Sequence, residues 1–173
     1  MSASDADAET AACVLVLVSS NAMSPPELST WIDSQIAARD QPPTWLLDAS
    51  MAPSTENKIH HLRSVEGSAQ VGADPLLQLE ATYLALERQR ITADMLASRA
   101  LHLSWDHDLP PELAAAIYEL EEDASCAHAF DGVVQAERVT VSVAMLGARL
   151  SAHSEWRAHL EAICSLVAVS TRA

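Results

Sequence analysis

The sequence predicts an all-α fold, on three observations. Glycine is scarce: Gly67, Gly72, Gly132 and Gly147 are the only four in 173 residues. A doubly wound α/β domain or a β-sandwich normally needs more glycine turns than that. The 49% hydrophobic content is rich in alanine, and alanine with Leu, Glu, Gln and Arg heads the helix-propensity scale. Several segments also open on a capping residue followed by proline, the usual start of a helix. We expect a compact bundle of about six to eight helices, packed as one unit. A small N-terminal helical lobe would cover residues 1–65, a loop or hinge 66–73, and a C-terminal helical bundle 74–173.

The first segment, Asp5 to Met23, is ambiguous. Cys13-Val14-Leu15-Val16-Leu17-Val18 has the β-branched content of a buried strand, whereas Ala-Glu-Thr-Ala-Ala before it suits a helix. No convincing partner strand exists elsewhere, so we read a helix buried on most sides. Ser24-Pro25-Pro26-Glu27 is a capping box with proline at the first helical position. Leu28, Trp31, Ile32 and Ile36 then form one apolar stripe. Pro42-Pro43 ends that helix. Trp45-Leu46-Leu47 and Met51 suit a turn of helix, and Pro53-Ser54 opens another, with Ile59 and Leu62 inward and Lys58 outward.

Glu66–Ala73 holds two of the four glycines and reads as the loop. Asp74-Pro75 restarts helix, with Leu76, Leu79, Tyr83 and Leu86 on one face and Glu80, Glu87, Arg88 and Arg90 on the solvated side. Thr92 is placed to recap a further segment through Leu103. Asp108, with Pro110, Pro111 and Glu112, starts the next helix. Leu113, Ile117, Leu120 and Ala124 face its core, and Glu119, Glu121, Glu122 and Asp123 form an acidic shoulder. Asp131-Gly132 is a turn. Val139, Val143, Leu146 and Leu150, then Trp156, Leu160, Ile163 and Val167, carry helical spacing to the end, with a phase shift near Ser154. Val139–Val143 also alternates as a strand would, but the longer helical period outweighs it.

Charge excludes function classes more firmly than it proposes one. Asp and Glu number 24 against 10 Lys and Arg, a formal net charge of −14, and Lys58 is the only lysine. Nucleic-acid footprints need clustered Lys or Arg, and so do anionic membrane surfaces, so neither is an expected partner. Such a chain favours basic partners. Cys13, Cys126 and Cys164 are odd in number, far apart and in no Cys-x-x-Cys motif, so we expect reduced thiols rather than a disulfide framework or zinc knuckle. Met1–Thr10 is acidic, the wrong sign for a secretory or transit segment, and Ala11–Val18 is too short to span a bilayer. The expected location is the cytoplasm.

The densest polar cluster is His102 with Trp105-Asp106-His107-Asp108. A carboxylate beside histidine fixes its tautomer and raises its basicity, as metal sites and proton shuttles require. The plainer reading is a helix end, with His102 complementing the dipole and Asp108 capping the next helix. Glu56 and His60, beside His61, are four apart. So are Glu155 and His159, near His153. Di-iron bundles use Glu-x-x-His, which is absent here, so no metal or cofactor is expected. Cys126 and His128 would point apart on a helix, and no phosphate loop or nucleophile elbow occurs. For interfaces, Trp45 and Trp105 lie beside loops, and Glu119, Glu122 and Asp123 offer carboxylates to a basic surface. Trp31 and Trp156 sit in apolar stripes and suit the core. The sequence thus leads to a non-catalytic protein-binding module of adaptor, regulatory or immunity-like kind, with homo-oligomerisation left open. The alternative is a helical-bundle enzyme or metal-binding protein using histidines from different helices.

Overall fold

The computed structural model describes residues 3–126 and 132–170. His128 and Asp131 lie outside the described residues. The described residues form ten α-helices and no strand. In chain order these are α1 (Ala3–Ser19), α2 (Pro25–Ala37), α3 (Thr44–Met51), α4 (Thr55–Arg63), α5 (Ser68–Gly72), α6 (Pro75–Glu87), α7 (Ala93–Asp106), α8 (Pro111–Cys126), α9 (Gly132–His153) and α10 (Trp156–Ser170). The count exceeds six to eight, chiefly because of the short pieces α3, α4 and α5.

Both segments with strand-like patterns are helical. The Val14–Val18 run lies in α1, whose Ala11, Ala12, Cys13, Val14, Val16 and Leu17 are all buried. It packs against α2, α4, α5, α6 and α10, so the apolar run needs no partner strand to leave water. Val139–Val143 lies within the 22-residue α9, whose Leu146 and Leu150 are buried against the core.

Sequence-coded caps hold the starts of α2, α4, α6 and α7. At α2 the Glu27 carboxylate accepts from both the amide and the hydroxyl of Ser24, each at 2.7 Å. Ser54 accepts from the Asn57 amide, Asp74 from Leu76 and Thr92 from Met95, at 3.2, 2.8 and 3.3 Å. Asp108 does not take the capping place expected of it. α8 begins at Pro111, and the Pro110 carbonyl accepts the first helical bond, from Ala114 at 2.9 Å. The paired prolines keep the preceding residues extended, which moves the start two residues on.

The expected 66–73 loop contains α5. Gly67 precedes it at φ 87°, a left-handed conformation open to glycine, and a Cβ there would stand 3.3 Å from that of Ala8. That close approach docks α5 on α1.

α6 departs from expectation as well. It contacts α1, α7, α9 and α10, and is buried on nearly all sides. Glu80, expected on a solvated face, is only 1% exposed. Lys58 likewise is half-buried and donates to the Ser29 hydroxyl at 3.1 Å. The chain closes on itself when α10 returns to pack on α1, α2 and α6 around one continuous apolar core.

Candidate functional site

The polar cluster at the end of α7 is open to solvent. His102, Trp105, Asp106 and Asp108 are exposed, and His107 is half-buried at the helix C-cap. His102 meets the Trp105 ring edge-on, with centroids 5.3 Å apart. His102 and Asp106 border a shallow cavity of about 250 Å³ whose Arg99 donates to the Ser20 carbonyl at 2.8 Å. No third donor joins the histidines there. Among the described residues, no three His, Cys, Asp or Glu side chains gather as a metal site.

The five interface candidates separate. Trp105 is 61% exposed, and Glu119 and Glu122 are exposed on α8. Tyr118, not singled out by the sequence, is 50% exposed beside them. Trp45 instead packs half-buried against the core. Asp123 turns towards α9: its carboxylate accepts from the Ser142 hydroxyl at 2.6 Å and lies 3.9 Å from Arg138, and its carbonyl accepts from the Gln135 amide. It clasps α8 to α9.

The larger cavity lies elsewhere, and the sequence reading did not assemble it. It is a cleft of about 580 Å³ bordered by Glu9 of α1, Asp74 before α6, and His153, Glu155, Trp156 and His159 around the α9–α10 corner. The helix break at Ser154, foreshadowed by the phase shift there, creates that corner. The Ser154 hydroxyl accepts from the Trp156 amide at 3.3 Å. The indole N–H of Trp156 donates to Asp74 Oδ2 at 2.7 Å, while Asp74 Oδ1 caps α6. One carboxylate thus fixes the cleft wall and starts the central helix.

Each histidine of the cleft pairs with a carboxylate from a distant element. His159 Nε2 lies 3.2 Å from Glu9, and His153 Nε2 lies 3.2 Å from Glu112 of α8. The i,i+4 partner Glu155, suggested by spacing, is not the one His159 uses. These pairings are long-range, so no local motif could reveal them.

Glu80 lies behind the cleft. Burial raises its carboxyl above the usual range, with Arg157 and a hydrogen bond from Ser154 opposing. Arg157 stands 3.7 Å from Glu80, pairs with Glu87 and with Glu161, and covers the Tyr83 ring. The network joins α6 to α10.

A second cavity of about 200 Å³ shares Glu9 and His159 with the first and continues onto Cys13, Trp31 and Ile163. Glu9, His159 and Cys13 together have the composition of a nucleophilic triad. Burial, and secondarily the Glu9 charge, pushes the Cys13 thiol up to about 12, so it stays protonated at neutral pH. A thiol held that way is no activated nucleophile.

Comparison with protein-family models, with curated proteins and with solved structures finds no match to this chain. No helix among the described residues is long and apolar enough to cross a membrane.

Proposed function

We propose that this chain is a non-catalytic protein-binding module of the cytoplasm, acting as an adaptor or regulator towards a basic partner. The observation that carries this reading is Trp105, left 61% exposed at the corner between α7 and α8. Exposing a tryptophan forgoes a large burial gain, and tryptophan is the residue type most enriched at binding hot spots. Carboxylates surround it in sequence and on the same hairpin: Asp106 and Asp108 at the corner, with Glu119 and Glu122 about two to three turns along α8. An aromatic anchor flanked in sequence by Asp106 and Asp108, with further exposed carboxylates along α8, suits a partner bearing Lys or Arg near an apolar recess.

The enzyme or metal-binding alternative gains one observation, since His153 of α9 and His159 of α10 border a single cleft. Both are already paired with carboxylates, and the neighbouring thiol is protonated. That arrangement favours ligand binding over catalysis.

The test uses a short arginine-rich peptide, with an acidic peptide of equal length as control, read by tryptophan fluorescence and calorimetry. The arginine-rich peptide is expected to bind with an affinity that falls as salt rises. Trp105→Ala should weaken it by about tenfold or more. A Glu119→Gln, Glu122→Gln variant should lessen the salt dependence. Equal binding of the acidic peptide, or wild-type affinity in Trp105→Ala, would overturn the assignment.

A further inference from the structure

We propose that Glu80 is a proton-operated latch between α6 and α10: with its carboxyl protonated the first turn of α10 seats on α6, and with it ionised that turn loosens. The latch lies away from the α7–α8 corner, so it goes beyond the protein-partner reading and does not rest on it.

The geometry is a shortage of partners. Glu80 is 1% exposed, and its Oε1 is buried with no hydrogen-bond partner among the described residues. Its Oε2 lies 3.7 Å from Arg157, longer than a good hydrogen bond. That guanidinium is shared, because Arg157 also pairs with Glu87 of α6 and Glu161 of α10. Three carboxylates thus draw on one cation. An ionised carboxylate with a buried, unpaired oxygen is unfavourable, and a proton removes the charge. Burial accordingly raises the Glu80 carboxyl, with Arg157 and Ser154 opposing and Glu87 adding to the rise.

Position turns this shortage into a latch. Arg157 is the second residue of α10, and Ser154 stands in the break between α9 and α10. Lifting the first turn of α10 from α6 admits water to Oε1, the hydration that the ionised carboxylate lacks. The tie that resists is Trp156, whose indole N–H donates to Asp74 at 2.7 Å.

The other charged groups around α6 are engaged elsewhere. Arg99, His102 and Asp106 of α7 border a cavity with Gln78 and Thr82. At about 100° per residue those two lie on the opposite side of α6 from Glu80. Glu9 of α1 pairs with His159, and Asp7 with Arg39. On α9, His153 pairs with Glu112 and Arg138 with Asp123, while Glu137 and Arg149 are exposed. Tyr83 of α6 lies under Arg157, and burial raises its hydroxyl, so it stays protonated at neutral pH.

The test measures amide hydrogen exchange of the full chain between about pH 5 and pH 8, corrected for the intrinsic pH dependence of exchange. Helix α7, on the far side of α6, is the internal reference. As pH rises, α10 should lose protection relative to α7. Glu80→Gln keeps the shape and removes the charge, so it should abolish that loss and leave α10 about tenfold better protected than wild type at the upper pH. His159→Gln removes the tie of α10 to Glu9 and should keep the loss. Glu161→Gln, at an exposed residue, frees Arg157 for Glu80 and should move the loss to higher pH; it decides the matter if Glu80→Gln does not fold. Protection of α10 that stays constant relative to α7, a folded Glu80→Gln with the wild-type profile, or a loss abolished by His159→Gln would overturn the latch. So would a Glu161→Gln protein whose loss stays in place or moves to lower pH.

Discussion

At the scale of single residues, Glu27 and Glu80 show how two carboxylates in one fold acquire opposite electrostatics. Burial alone would raise Glu27. The Ser24 hydroxyl and amide, with Arg88 at 2.6 Å and Arg90 at 3.1 Å, outweigh it and hold the carboxyl below its ordinary 4.5. Glu80 is more deeply buried, and its partners do not offset the lost hydration, so it stands above 4.5. The linkage signs therefore differ. Glu27 binds its proton more weakly when folded, so its contribution is complete above about pH 4.5 and is lost as pH falls through the lowered value. Glu80 binds its proton more strongly when folded, so its ionisation erodes stability as pH rises from 4.5 through the raised value. Glu27→Gln is expected to cost about 1–3 kcal/mol at neutral pH, because hydrogen bonds to a charged group are lost from a part-buried site. Denaturant melts of wild type and variant should converge towards pH 3. A gap that persists unchanged to that pH would show that the capping box and the arginine clamp are not held by the ionised carboxylate. The box itself was legible, since Ser-Pro-Pro-Glu is local. Arg88 and Arg90, more than sixty residues away, were not.

At the scale of helices, local signals located several boundaries, though not the start of α8 or the presence of α5, and packing decided which faces were wet. Ser54, Asp74 and Thr92 cap where the sequence put them. The stripes on α2 and α8 are buried as their spacing required. Glu80 was misplaced because a helix pattern carries no information on how many neighbours surround it, and α6 has four. The cleft was invisible for a related reason: Glu9, Asp74 and His159 meet only when α10 returns to α1. Gly147 records another long-range approach, of α9 to α6. A Cβ at this position in α9 would overlap the Tyr83 hydroxyl on α6. Gly→Ala inside a helix ordinarily stabilises by about 0.5–1 kcal/mol. Here the overlap with a ring covered by Arg157 should dominate, and overpacking of this kind costs about 1–3 kcal/mol. Gly147→Ala should therefore lower the melting temperature, and Tyr83→Leu in the same chain should restore part of it. A Gly147→Ala protein more stable than wild type would mean that α6 and α9 do not approach so closely.

At the scale of the whole molecule, the distribution of charge matters more than its sum. The chain carries nine arginines and one lysine against 24 acids. Among the described residues, six of those arginines are engaged by the protein itself. Arg39 pairs with Asp7, Arg88 and Arg90 share Glu27, and Arg138 reaches Asp123. Arg157 serves three glutamates, and Arg99 donates to the Ser20 carbonyl. Lys58 is turned onto α2. The cations therefore act as internal clasps, and most exposed carboxylates of α7 and α8 are left to set the outer potential. A nucleic-acid footprint needs several cations displayed together, since affinity grows with the number of phosphates neutralised. Duplex DNA and RNA are accordingly expected not to bind at physiological salt. Fluorescence anisotropy with a labelled duplex should stay flat to protein concentrations well above micromolar, and lowering the salt should not recover a signal, because the net field repels phosphate. Micromolar binding that weakens steeply with salt would require Arg63, Arg149 and other cations to form one basic face, and would contradict the acidic-surface basis of the proposed function.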